Sequence, residues 1–320
     1  MTNFQIYRKT LPFSLVTFLV DILAVVILIG LSVAGFFIAP AGQPLIGVLI
    51  GLVLGIILSV LINIFISNRI KAAQISMMTQ GVANNSLPEH TYSAGFQSIK
   101  GRFGKITLFF TITNAIKGAF QQVGRGMVGI GKAIGGNAGQ GVAGAIDGMV
   151  QTLIGYLCDC CLGWVLYRED ENGFKAACEG AAIFFKHGKA LLKNAGRIFG
   201  MGLVSLLVIG GAFTGIIYLV LLQFPDAMTA LAGEIQKLST EGSNNIPAFL
   251  YDVKILTIVV AAVGAVVLWG IIHSVLIRPF ILTGVLRNFV EVGKKEKITE
   301  SDLDKLESIS PKFTKMRNRS

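Results

Sequence analysis

A chain of 320 residues that is 53% hydrophobic and only 14% charged cannot cover a soluble surface, which needs roughly a quarter of its residues charged. Its mean hydropathy is +0.68, and its apolar residues fall in runs longer than any core helix requires, so a soluble globular class is excluded. The net charge of +10 comes without an RNP-like, zinc-finger or helix-turn-helix pattern. Basic residues flanking apolar runs read as topology signals facing anionic inner-leaflet lipid, not as a nucleic-acid surface.

The expected fold is an all-α, polytopic helical membrane protein. Residues 1–67 form an N-terminal cytoplasmic helix and a first transmembrane hairpin. Arg8 and Lys9 precede an apolar run that continues to Ile38, too long for a signal-peptide core, so residues 14–38 read as an uncleaved span interrupted only by Asp21. Residues 39–44 are a turn of helix breakers. Residues 45–67 are the second span, closed by Arg69 and Lys71. Residues 68–104 are polar and mixed and read as a cytoplasmic loop.

Residues 105–167 read as a Gly-rich amphipathic hairpin. Phe109, Ile112, Ile116, Phe120, Val123, Met127, Ile130 and Ile134 recur at steps of three and four, the period of an amphipathic helix. After Gly135-Gly136-Asn137 the pattern resumes with Val142, Ile146, Met149, Leu153, Leu157 and Cys160. Of the 38 glycines, 11 lie between Gly118 and Gly148, each costing about 1 kcal/mol against alanine in an exposed helix. The spacings Gly131/Gly135/Gly139 and Gly144/Gly148 predict close helix approach; a flexible low-complexity loop is the alternative. A crossing hairpin would give six spans. Lys117, Arg125, Lys132, Asp147 and Asp159 would each cost roughly 3 kcal/mol in hydrocarbon, which favours an interfacial or re-entrant hairpin. A fold near Ala138 sets Lys132 opposite Asp147 and Lys117 opposite Asp159.

Residues 168–197 read as a basic interfacial helix, with Phe174, Ala181, Phe185, Leu192 and Ala195 on one face and Lys175, Lys186, Lys189, Lys193 and Arg197 around it. Residues 198–277 are a second transmembrane hairpin with spans at 198–224 and 255–277. Its acidic outer loop, 225–254, carries Asp226, Glu234, Glu241 and Asp252. Residues 278–320 are a cytoplasmic tail whose Thr299/Asp302 pattern starts a short charged helix. Every Lys and Arg except Lys237 and Lys254 lies on one side of a four-span arrangement, so the positive-inside rule predicts cytoplasmic ends with four spans or six.

Few residues suggest chemistry. Asp21 is a carboxylate in an apolar span and His273 a histidine near the inner end of another, beside Trp269; both are candidates for transport or for structural polar contacts. Lys117, Lys132, Asp147 and Asp159 join them as charges in the hairpin. Cys158 and Cys161 form a C-x-x-C without a second ligand pair, a weak metal candidate. Cys158, Cys160 and Cys161 are also candidates for lipidation. No nucleophile elbow, P-loop, HExxH pair or catalytic carboxylate pair occurs, so neither an enzyme nor a cofactor is expected.

From Leu157 onward, CDCCLGW precedes GFKAACEGAAIFFKHGKALLKNAGR, a Gly-rich span, a short outer loop, a final span and the exit helix LRNFVEVGKK. This order of features resembles the C-terminal half of the choline transporter-like family and covers roughly half of the chain. The chain is short for that family and lacks its large outer loop. The resemblance implies transport of a small organic cation and carries over no site residue. Two functions are therefore expected to compete: a small-solute transporter or channel-like protein, and a non-transporting scaffold or accessory subunit. The second implies a homo-oligomer or a protein partner at the cytoplasmic tail.

Overall fold

The computed structural model describes residues 1–39, 44–103, 111–122, 140–192, 195–241 and 247–320, and every regular element among them is helical. Four helical runs are long and apolar enough to cross a bilayer: Asn3–Ile38, Ile46–Asn84, Gly200–Leu221 and Val253–Lys295. The chain is an all-α polytopic membrane protein. It divides into two compact units, Met1–Gly196 with Arg278–Ser320, and Arg197–Ile277.

In the first unit, α1 (Asn3–Ile38) opens on a capping box in which Thr2 and Gln5 satisfy each other's backbone N–H groups. Ile6, Thr10, Phe13 and Ser14 are buried, whereas Leu15, Leu19, Leu23, Val26, Ile29 and Val33 face outward. The first group belongs to a protein core and the second to a lipid-facing span. α2 (Pro44–Ile62) packs on α1 through Gly47, Gly51 and Gly55. A methyl group on Gly47 or Gly51 would collide with the carbonyl of Gly35 or Leu31, and one on Gly55 would lie 2.9 Å from Leu28 Cα. Ser59 Oγ donates to Ala24 O at 3.3 Å. The partners step backward along α1 as α2 advances, so the two helices form an antiparallel hairpin. Glycines four residues apart let the backbones touch, the usual device of membrane helices. Of the glycine spacings expected to do this, Gly131, Gly135 and Gly139 lie outside the described residues, and Gly144 and Gly148 are described only as helical backbone.

A π turn, Asn63–Ser67, joins α2 directly to α3 (Asn68–Asn84). Residues 68–103 are thus mostly helical where the sequence suggested a loop, α3 being followed by α4 (Thr91–Phe103) after the short connection 85–90, and residue 104 lies outside the described residues. Nearly every residue from Ile70 to Val82 is buried. A helix enclosed on all sides has no amphipathic period to detect. Its polar residues are satisfied inside the protein: Gln74 Nε2 donates to Ser14 Oγ at 2.7 Å, Ser76 and Ser98 share a 2.7 Å hydrogen bond, and Thr79 Oγ1 donates to Ile75 O at 2.8 Å. Against α3 pack the base of α1, α4, α6 (Gln140–Tyr167) and α12 (Arg278–Lys295). Residues 111–122 form a further helix, α5.

α7 (Gly173–Leu192) packs on α6, α12, α13 (Glu300–Ile309) and α14 (Pro311–Arg317). Its residues Phe174, Ala177, Ala181 and Phe184 are buried in that core. The apolar face that the sequence assigned to a membrane surface therefore packs mainly on protein, with Phe185 left exposed. The last part of α6 is treated the same way, since Tyr156, Leu157, Cys160, Cys161, Trp164 and Val165 are all buried. The hairpin tip lies outside the described residues.

In the second unit, α8 (Ala195–Ser205), a π turn (Leu206–Gly210) and α9 (Gly211–Leu221) form one span, and α11 (Val253–Ile272) with a π turn (His273–Ile277) forms the other. Between them the expected acidic loop contains a helix, α10 (Pro225–Glu241), and a 3-10 turn, Ala248–Tyr251. α10 turns Met228 and Ala232 onto Leu256 of α11 and keeps Asp226, Glu234 and Lys237 exposed. Asp252 caps α11 by accepting from the backbone N–H of Lys254 and Ile255.

Candidate functional site

A cavity of about 510 Å³ opens in the first unit where α3, α5, α6 and α12 meet, within the range of ligand pockets. Asp159 of α6 is its electrostatic centre. Its side chain is 8% exposed; Oδ1 lies 3.0 Å from Lys71 Nζ and Oδ2 accepts from Arg278 Nη2 at 2.6 Å. Lys117 of α5 lines the same cavity and makes no hydrogen bond or ion pair among the described residues. Asn68, Asn114, Gln121 and Thr113 add neutral polar groups, and Ile154, Leu162 and Ala72 an apolar wall. Arg278 lies over the Tyr156 ring at 5.5 Å. Its Nε is buried without a partner among the described residues, as is the Tyr156 hydroxyl.

Local structure explains the convergence. Asn68 and Lys71 lie on the first turn of α3, and Arg278 opens α12; both helices continue from π turns that close apolar runs. A π turn adds one residue to the helical repeat and re-aims the side chains beyond it, and such turns recur at functional sites. Lys71, the second cation after one apolar run, and Arg278, the first after the other, are thereby brought onto one carboxylate.

Two of the charges singled out in the sequence, Lys117 and Asp159, share this site. They do not form the pair that a simple hairpin would give, because Asp159 is held by Lys71 and Arg278. Those two were read only as topology signals. Lys132, and the side chain of Asp147, lie outside the described residues. Asp21 is half-buried in α1 and makes no hydrogen bond or ion pair among the described residues. His273 lies in the second unit against Trp269, ring centroids 5.1 Å apart, and Trp269 Nε1 donates to Ser205 Oγ at 3.1 Å. That is an aromatic, hydrogen-bonded cluster linking the two spans of its unit.

The C-x-x-C does not assemble a metal site. Cys158 borders the cavity while Cys161 points into the core, where its Sγ donates to Ala177 O at 3.3 Å. No group of three metal-ligating side chains occurs among the described residues. Cys160 and Cys161 are fully enclosed, so of the lipidation candidates only Cys158 has an exposed edge.

Fold and site together define a polytopic helical membrane protein with a basic, open cavity. No protein-family model, curated protein or solved structure matches the chain. The likeness to the choline transporter-like family rests on the residues quoted for it alone.

Proposed function

We propose that this is a transporter- or channel-like membrane protein that receives a small polar solute in the cavity of Lys71, Lys117, Asp159 and Arg278, at the cytoplasmic end of its spans. The observation that carries this reading is the chain connection itself. Lys71 and Arg278 follow the apolar runs without a loop between, so both cavity cations stand on helices continuous in the chain with apolar runs. The positive excess of the lining argues for an anion rather than the organic cation that the family resemblance implied.

The test is flux across proteoliposomes containing the full chain, with anionic, neutral and cationic small solutes in separate runs. Flux above that of empty liposomes that falls about tenfold or more in Lys71→Gln supports the reading. Absence of flux for every class, or flux indifferent to that substitution, overturns it.

The same reading places residues 1–13, 68–103, 111–122, 140–192 and 278–320 in the cytoplasm and α10 outside, supported by every Lys and Arg except Lys237 and Lys254 falling between the second and third apolar runs or at the two ends. A cysteine replacing Lys237 is then labelled from outside, and one replacing Ser308 only from inside.

A second reading, a scaffold or accessory subunit, is favoured by one observation: the apolar runs bury very little of their surface within the chain. Helices that bare carry lipid or other helices on their free sides. That role requires a stable homo-oligomer or partner on native extraction, and a strictly monomeric particle that binds no other protein would count against it.

A further inference from the structure

The geometry points to a phosphate group as the ligand of the cavity centred on Asp159, an inference that rests on the solute-binding reading above and gives that solute its charge. Three cations, Lys71, Lys117 and Arg278, face one carboxylate, Asp159, leaving an excess of two positive charges. A phosphate monoester carries about −1.5 to −2 at neutral pH, so it neutralises that excess, where a carboxylate or chloride would cancel half of it.

Donor capacity agrees with the charge. Asp159 occupies Nη2 of Arg278 and one N–H of Lys71. An Arg has five N–H donors and a Lys three, so each keeps donors beyond its contact with Asp159. The ammonium of Lys117 adds its full set, since it has no partner among the described residues. The side-chain amides of Asn68, Asn114 and Gln121 border the same space. The donors therefore far outnumber the acceptors, which suits a ligand that only accepts, such as three phosphate oxygens.

Asp159 has a positioning role. Bonded to both Lys71 and Arg278, it keeps two flexible cations at a fixed separation and stops them from repelling each other while the cavity is empty. The volume, about 510 Å³, exceeds what inorganic phosphate fills. The apolar wall of Ile154, Leu162 and Ala72 leaves room for the organic part of the ligand. A soluble phosphate monoester and the headgroup of a phosphomonoester lipid share this chemistry.

Two arms distinguish those sources. In one, the full chain in nanodiscs of phosphatidylcholine is titrated with glycerol 3-phosphate, binding being read by calorimetry. In the other, phosphatidic acid is added to the nanodiscs and its retention by the chain after detergent exchange is measured by mass spectrometry. Saturable binding in either arm is expected, weakened about tenfold or more in Lys117→Gln and retained in Lys117→Arg, with Lys237→Gln on α10 as an unchanged control. Lys117 is exposed and has no partner among the described residues, so its substitution leaves the fold intact where Arg278→Gln or Asp159→Asn threatens it. Binding in the first arm identifies a soluble ligand, and binding in the second a lipid. Absence of binding in both, or equal binding by Lys117→Gln, overturns the proposal. Phosphate binding without flux of any solute sinks the transport reading and leaves the site. Flux that neither glycerol 3-phosphate nor phosphatidic acid inhibits sinks the site and leaves transport.

Discussion

Arg278 and Asp159 lie 119 residues apart in the chain and meet at 2.6 Å, guanidinium Nη2 to carboxylate Oδ2. The contact fastens α12 to α6, and Lys71, 3.0 Å from the other oxygen, adds α3. A single carboxylate thus ties three helices.

Removing that charge should loosen all three. Asp159 is 8% exposed but Lys71 and Arg278 are 39% and 32% exposed, so solvent screens the interaction and the full cost of a broken buried pair does not apply. Hydrogen bonds to charged groups contribute about 1.5–3 kcal/mol. Asp159→Asn is expected to lower stability by about 2 kcal/mol in detergent unfolding. The double variant Asp159→Asn/Arg278→Gln should lose less than the sum of its single variants, and strict additivity would deny the coupling.

The first hairpin depends on close backbone contact. Gly51→Leu places a side chain where the Leu31 carbonyl already sits and should cost about 1–3 kcal/mol or more by overpacking. Gly30, in the partner helix α1 with nothing within 4 Å of an added Cβ, is the control, and Gly30→Ala is expected to be neutral or slightly stabilising. Disulfide cross-linking between cysteines placed in α1 and α2 reports the hairpin directly: Gly51→Leu should abolish it and Gly30→Ala should not. Equal behaviour of the two would contradict the packing.

The tail is held electrostatically. Lys186 of α7 bridges Glu296 at 2.6 Å and Asp302 of α13 at 3.5 Å, and His187 is hydrogen-bonded to Glu296 at 2.8 Å. Hydrogen bonds from Lys186 and His187 hold the Glu296 carboxyl below its ordinary value, and the Thr299 N–H and hydroxyl do the same for Asp302. A carboxylate depressed in the folded state contributes stability above its unfolded value, about 4. That contribution is lost as the pH falls through the depressed value. Glu296 raises the pKa of Lys186, so the base side weakens only as the pH passes the ordinary lysine range. Hydrogen exchange in α13 should therefore be slow from about pH 5 to about pH 10 after correction for intrinsic rates, and should accelerate below about pH 4. Lys186→Gln should accelerate it at neutral pH; unchanged protection in that variant would rule out the bridge.

All four cysteines are free thiols, yet none should react readily. Burial pushes Cys158 and Cys178 up to about 12, leaving a thiolate fraction on the order of 10⁻⁴ or less at pH 7.5. Cys160 and Cys161 are enclosed as well. Native chain should take up a maleimide slowly, first at Cys158, and all four sites should label within minutes in SDS. Fast native labelling at two or more sites would show the core of α6 and α7 to be looser than described.

The spans were legible because each is long and almost free of charge, and Lys117 and Asp159 stood out as charges within an apolar period. The site they belong to was not legible, since Lys71 and Arg278 look like ordinary cations at the ends of spans and nothing local marks them as partners of Asp159. α3 escaped notice for a related reason: Gln74, Ser76 and Thr79 look like loop residues until their hydrogen-bond partners on α1, on α4 and within α3 are seen. Gly47, Gly51 and Gly55 passed unremarked because the denser glycines beyond Gly118 drew the small-residue argument to themselves. Face-counting also assigned Phe174 and Ala181 of α7 to lipid, because periodicity reports that a face is covered but not what covers it.

The unbroken helical run Ile46–Asn84 has 39 residues, about 58 Å at helical rise, against a hydrocarbon thickness of about 30 Å. Half of it is therefore a lever arm outside the slab, with Lys71 mounted on it. A bilayer that thins or thickens changes the tilt of the embedded half, and through the continuous helix that change bears on α3 and the core packed around it. The helix that carries Lys71 to Asp159 is therefore the same rod that lies in the bilayer.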